Sequence, residues 1–195
     1  MANFTSKAIL QTFEEMLNEM YFDKITVSAL VARCGISSNT FYYHFRDIYD
    51  LLDTWLTEQK NSFLVEIEAM EDWSARLKVF LQKLQEKSKV VYHIFDSISR
   101  ERMERFVFGS VETMFYENVK RRAKEMDVPD EIVKGVSGFY CYSFLGFLLK
   151  YIWEDMNVDV SAAVDYLSLI FNGVLEYILQ RFDGADSGEW SRLVP

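Results

Sequence analysis

Between residues 37 and 44 the chain reads Ser-Ser-Asn-Thr-Phe-Tyr-Tyr-His. Of these side chains only Phe41 has no polar group; the rest are short hydroxyls and an amide, followed by aromatic polar groups. Hydroxyls and amides suit phosphate oxygens and base edges, and one helix fits the major groove of a DNA duplex. Asn39 and Tyr43 are the candidates for base-edge contact. Thr26, Ser38 and Thr40 are candidates for phosphate, Ser37 belongs to the same DNA-binding set, and either Ser37 or Ser38 caps the helix. His44 has two readings, a contact to DNA or a histidine packed at the edge of the core.

Such a helix is too short to hold itself, so neighbouring elements must position it. Leu30, Val31, Cys34, Ile36, Phe41 and Phe45 are spaced to close a small core around two short helices. Gly35 lies between them, where a tight turn needs tolerance of positive φ. Thr26 is placed to cap the first of the two. Upstream, Ile9, Leu10, Phe13, Met16, Leu17 and Met20 recur at helical spacing and predict a helix over about residues 4–21. Downstream, a helix opening near Asp47 carries Ile48, Leu51, Leu52, Trp55, Leu56, Phe63 and Ile67. It runs past the small core and is the expected mechanical link to the remainder.

The stretch Thr26–Leu52 resembles the TetR family of bacterial transcriptional regulators. The resemblance rests on Thr26, on Gly35 at the turn, and on the run Thr40-Phe41-Tyr42-Tyr43-His44-Phe45. Arg46-Asp47 and an apolar helix follow. The resemblance implies an all-α protein, with an N-terminal three-helix helix-turn-helix domain and a larger helical ligand-binding and dimerisation domain. It also implies that Tyr42 and His44 touch backbone phosphates. Members usually carry Lys where this chain has Ile48, a position that helps to hold the DNA backbone.

Half of the 195 residues are hydrophobic, and Pro and Gly are few, which supports a folded, helical chain. The net charge of −9 is unusual for a nucleic-acid binder. Residues 1–52 hold Lys7, Lys24, Arg33 and Arg46 against six Asp and Glu, so their share is −2 and the remainder carries −7. Nonspecific attraction to DNA is therefore expected to be weak. Cys34 and Cys141 lie in apolar surroundings and read as buried small hydrophobes. They lack zinc-site spacing, and no metal or cofactor is expected. Two histidines, no glycine-rich phosphate loop and no nucleophile–base pairing argue against an enzyme. No leader pattern opens the chain, and the uncharged run Val136–Leu149 falls short of the roughly 20 residues that span a bilayer. The expectation is a cytoplasmic protein that does not enter a membrane.

The domains are expected at residues 1–47, for the helix-turn-helix unit, and 48–183, for the effector and dimerisation unit. Residues 184–195 are expected to be a disordered tail. Within the second domain, helices are expected around Trp73–Leu84, Val90–Ile98 and Glu101–Asp127. Two more are expected, from Pro129 to about Asp155 and from Val160 to Phe182. The basic run Lys120-Arg121-Arg122 complements the C-terminal end of its helix. The last two helices are expected to pair with a second copy through Phe147, Tyr151, Leu167, Phe171, Val174, Leu175 and Ile178. Gly138, Gly146 and Gly173 would permit close approach. A pocket for an apolar or cationic effector is expected among His93, Phe95, Phe106, Glu112, Phe115, Tyr140 and Phe144. Two functions fit. One is a dimeric repressor of a palindromic operator on double-stranded DNA, modulated by a small molecule. The other is a regulator or co-activator that answers to a protein partner.

Overall fold

All regular structure among the described residues of the computed structural model, 2–68, 70 and 72–184, is helical. The chain divides into two compact units, Met1–Ser99 and Arg100–Pro195. The first holds α1 (Ala2–Glu19), a single 3₁₀ turn (Phe22–Lys24), α2 (Val27–Cys34), α3 (Ser38–His44), α4 (Ile48–Glu66), α5 (Trp73–Glu86) and α6 (Ser88–Phe95). The second holds α7 (Arg100–Arg122), α8 (Asp130–Trp153) and α9 (Val160–Arg181). This division by compactness lies at residue 99, not at the domain boundary expected after residue 47.

The stripe on α1 does what its spacing requires. Ile9, Phe13 and Leu17 are fully buried, with Leu10 and Met16 close to it. Phe13 meets the rings of Phe22 and Trp55 edge-on, at 6.2 and 6.4 Å between centroids. Leu30, Phe41, Leu51 and Leu52 close the same core from α2, α3 and α4. The helix stops at Glu19, two residues short of the expected end, because Tyr21 turns extended ahead of the 3₁₀ turn.

α6 completes that core with Val90 and Ile94. His93 is buried beside them, its Nδ1 2.6 Å from the carbonyl oxygen of Leu17 near the end of α1. Lys87, at the N-terminal end of α6, pairs with Glu14 of α1 at 2.9 Å. The same carboxylate accepts from the indole N–H of Trp55 at 3.2 Å. A short helix remote in sequence thus locks α1 and α4 together.

In the second unit, α7 and α8 pack along their length, and Val119, Ala123, Val133, Val136 and Tyr140 share a core with Leu175 and Leu179 of α9. The hydroxyl of Tyr116 donates to Asp130 at 2.7 Å and accepts from Lys120 at 3.2 Å, tying α7 to the start of α8. Of the tail, Gly184 is described, and its N–H donates to the Asp127 carbonyl. The rest of the expected tail lies outside the described residues.

α8 ends in a left-handed turn built without glycine. Asp155 and Met156 have φ of 57° and 53°. Their N–H groups donate to Ile152 O at 3.1 Å and Tyr151 O at 2.9 Å, the hydrogen-bond pattern of a Schellman cap. Met156 is buried and anchors the turn. Asp155 is exposed, so its left-handed backbone is strain without compensating burial. Asp155→Gly is expected to stabilise the protein by about 0.5–1 kcal/mol, the relieved strain exceeding the extra unfolded-state entropy of glycine. Thermal melting checks this: a midpoint raised by about 1–4 °C is expected, and an unchanged or lowered one would refute the strain.

Candidate nucleic-acid interface

The two short helices are set by their caps. Thr26, in extended backbone, accepts the N–H of Ala29 on Oγ1 at 3.1 Å and opens α2. Gly35 closes it at φ 67°, and the following N–H of Ile36 donates back to Val31 O at 3.1 Å. No atom lies within 4 Å of where a Cβ on Gly35 would stand, so backbone conformation and not space demands glycine here. Ser37 then caps α3, accepting the N–H of Thr40 at 3.1 Å, and the two hydroxyls share a hydrogen bond of 2.9 Å.

α3 buries one face only. Phe41 is wholly buried and Phe45, just past the helix, nearly so. Ser38, Asn39, Tyr42 and Tyr43 are exposed. At 100° per residue these four span an arc of about 140° on the side away from Phe41. Tyr43 is 78% exposed, which makes it the most prominent group on the helix. Thr40 and His44 are half-buried; the His44 ring lies edge-on to Tyr43 at 5.0 Å and tilted to Phe45 at 6.2 Å. Of the eight residues expected at DNA, four therefore form an open face. Thr26 and Ser37 act as caps, Thr40 is tied to Ser37, and His44 sits at the margin. Thr26 accepts through its oxygen and keeps its O–H to donate.

Around this face the cations are paired. Arg33 grips Glu19 through both terminal nitrogens, at 2.5 and 2.7 Å, and reaches Glu15 at 3.5 Å. The hydrogen bond from Arg33 holds the Glu19 carboxyl below the usual carboxylate range. Arg46 meets Asp50 at 3.0 Å; the backbone N–H of Arg46, then its side chain, lower the Asp50 carboxyl. Lys24 pairs with Asp23 at 2.8 Å. The start of α4 is closed by a carboxylate, since Asp47 accepts the N–H groups of Tyr49 and Asp50, both at 2.8 Å. Ile48 packs half-buried against the core.

The residues expected at an effector pocket are divided between the units. His93 and Phe95 lie on α6, and the His93 ring is spent on Leu17. In the second unit the structure brings Phe115, Tyr140 and Phe144 together, with Phe115 5.9 Å from Phe144 and 6.3 Å from Tyr140. The Tyr140 hydroxyl donates to Phe171 O at 2.8 Å, and burial pushes its pKa up to about 12. Phe106 is half-buried and Glu112 exposed, both on α7. Burial likewise pushes the Cys141 thiol up to about 11, with the Glu112 charge adding to it. An open depression of about 300 Å³ is lined by Arg122, Met126, Glu176, Leu179 and Gln180, none of them expected.

The residues expected at a dimer interface also separate. Tyr151 and Leu175 are buried, Leu175 in the core of the second unit, and Phe147, Leu167, Phe171 and Ile178 are half-buried. Val174 is exposed. Sequence reasoning did not single out Tyr166, Leu169 and Tyr177 of α9, or Phe139, Tyr142 and Trp153 of α8, as outward-facing, yet each is more than half exposed. Their spacing was legible on α9 alone, where Tyr166, Leu169, Ile170, Gly173, Val174 and Tyr177 follow one helical stripe. The backbones at Gly138, Gly146 and Gly173 are open. By length and composition α8 and α9 could each cross a bilayer, and half of the apolar window of α8 is buried within the protein.

Capped α2, a glycine turn and a one-sided α3 define a helix-turn-helix protein. Residues 9–54 match the model of bacterial regulatory proteins of the tetR family, and residues 71–173 match that of a transcriptional regulator C-terminal region. The chain belongs to the TetR family: it is a DNA-binding transcriptional regulator and not an enzyme. Among solved structures it is similar to one named dihydroxyacetone kinase operon activator DhaS, with 17% identity, a TM-score of 0.61, and coverage of 92% of this chain and 98% of that one. It is also similar to a transcriptional regulator of the TerR/AcrR family from Aquifex aeolicus VF5, at 18% identity and a TM-score of 0.56, covering 87% and 99%. At these identities both likenesses concern the fold. No curated protein matches the sequence.

Because Ser37 holds both the Thr40 N–H and its hydroxyl, Ser37→Ala is expected to cost about 1 kcal/mol of stability. Ser38→Ala, one residue on and exposed, should leave stability within about 0.5 kcal/mol of the parent. Denaturant melts of both variants distinguish cap from contact. Equal losses would remove Ser37 from its capping role.

Proposed function

We propose that this regulator is a homodimer that binds a palindromic operator in double-stranded DNA through α3. The observation that carries the proposal is the open arc of Ser38, Asn39, Tyr42 and Tyr43, opposite the buried Phe41. Asn39 and Tyr43 read base edges, while Tyr42, His44, Ser38, Thr40 and the Thr26 hydroxyl hold phosphates. Ser37 contributes by fixing the start of the helix. The protein acts in the cytoplasm, and its outward apolar face on α8 and α9 is covered by a second copy. Two-fold symmetry then presents two reading helices to two half-sites.

In the repressor form of this reading, a small apolar or cationic molecule binds one arrangement of the dimer better than the other and shifts operator affinity by that difference. A second reading has support of its own. Phe115, Tyr140 and Phe144 pack on one another and the Tyr140 hydroxyl is satisfied, which leaves those residues little to offer a ligand. Regulation by a protein partner, with this chain as a co-activator, needs no such pocket. The solved structure named as an operon activator shares the fold.

Mutants should sort by role. Tyr42→Phe and His44→Ala are expected to weaken operator and random duplex alike. Asn39→Ala is expected to lose about 1–3 kcal/mol on the operator alone. Ile48→Lys, which restores the residue usual in the family, should steepen the salt dependence of binding by roughly one unit. Titrations at several salt concentrations read all three, and an Asn39→Ala loss shared by random DNA would exclude Asn39 from base reading.

Assembly is tested on exposed positions, because a charge at buried Leu175 would unfold the protomer itself. Leu169→Asp is expected to leave the helical content intact and to convert the dimer to a monomer, with loss of operator binding. Sedimentation and circular dichroism check the two halves. A monomeric parent at micromolar concentration would refute the interface.

A further inference from the structure

We propose that the half-site this protein reads has an A·T core, adenine opposite Asn39 and thymine opposite Tyr43, and that these two side chains set the specificity. The inference rests on the reading of α3 as the DNA-contacting helix and names what that helix selects.

It follows first from what α3 lacks. The commonest specific contact to guanine is a bidentate Arg or Lys on O6 and N7. α3 contains neither residue. The arginines nearest in sequence are committed elsewhere: Arg33 to Glu19 through two hydrogen bonds, and Arg46 to Asp50. Taking either to a base would break those ion pairs and leave a carboxylate facing the negative duplex.

It follows next from what α3 presents. The amide of Asn39 offers a donor and an acceptor side by side, the complement of adenine N6 and N7. Asn39 is exposed, and among the described residues its side chain has no intramolecular hydrogen bond. Tyr43 stands 78% exposed and offers an aromatic surface, which suits the C5-methyl group of thymine, the one apolar group in the major groove. The two residues lie one helical turn apart on one face, about 6 Å along the axis. That rise matches about two base-pair steps, so the pair reads a short, contiguous element of each half-site.

The test selects operators from a duplex pool randomised at every position, using the purified full-length protein, and sequences the bound fraction. The parent is expected to enrich a two-fold motif whose half-sites each hold two A·T pairs about two base-pair steps apart, favoured by about ten- to hundred-fold over G·C at the first of them. Asn39→Ala should erase that preference while keeping the rest of the motif. Asn39→Gln should retain adenine, and Asn39→Arg should turn the position to guanine. Deoxyuridine in place of the enriched thymine should weaken the parent and leave Tyr43→Ala unaffected. G·C at these positions in the parent motif, or an Asn39→Ala motif identical to it, overturns the A·T assignment and leaves the regulator reading standing. No enrichment over random duplex, with the protein folded and dimeric, overturns both.

Discussion

A helix of seven residues cannot stand by itself in water, so everything α3 does depends on the burial of Phe41. Its ring is wholly buried and packs on Phe45, and the core behind them is built on the α1 stripe of Ile9, Phe13 and Leu17. Fully burying one such side chain contributes about 1.5–3 kcal/mol, more than any surface contact on the helix. With one face anchored, the opposite face carries no packing duty. That is why Ser38, Asn39, Tyr42 and Tyr43 are free for chemistry. The same anchor explains the weight of supports distant in sequence: His93 on Leu17, and Glu14 shared between Trp55 and Lys87, hold α1 and α4 where Phe41 needs them.

The charge distribution follows from this anchoring. The head cannot rely on a basic surface, because its acids pair its arginines. Exposed pairs of this kind add little to stability. Their larger consequence is electrostatic: Arg33 and Arg46 are oriented along the protein surface by Glu19 and Asp50. With Ile48 half-buried against the core and Asp47 closing α4, the phosphate anchors usual in the family are reduced. In the proposed DNA complex, affinity would then fall on neutral hydrogen-bonding groups, whose contacts depend on geometry more than on ionic strength.

How much of this was legible in sequence depended on whether the deciding rule was local. The Thr26 cap, the Gly35 turn and the α1 stripe obey short-range rules and stand where those rules put them. The clamp by α6 was not legible, since His93 and Leu17 are 76 residues apart and neither carries a signal of the other. A lone histidine among Val90, Val91, Ile94 and Phe95 suits a satisfied core group as well as the pocket group expected of it. On α8 the pattern itself was mute. A helix apolar nearly all round has no periodicity to say which face turns inward. Tyr151, expected at an interface, is buried, whereas Trp153, two residues on, is 61% exposed.

The length and apolarity of α9 admit two environments for its outer face, a bilayer or another helix, and the pattern of residues separates them. The exposed apolar side chains Tyr166, Leu169, Ile170, Val174 and Tyr177 cover an arc of about 140°. Val164, Leu175 and Leu179 occupy the opposite side and are buried. Between the two faces stand Asp165 and Glu176, both exposed. A lipid-facing helix would have to take those carboxylates into hydrocarbon, at a cost of kilocalories per residue near mid-membrane. A helix packed on a partner along one stripe leaves them at the wet rim. Gly173 lies within the stripe and lets a backbone approach closely. A one-sided apolar stripe flanked by carboxylates therefore favours a protein partner over lipid, and the dimer proposed above would supply that partner as a second copy.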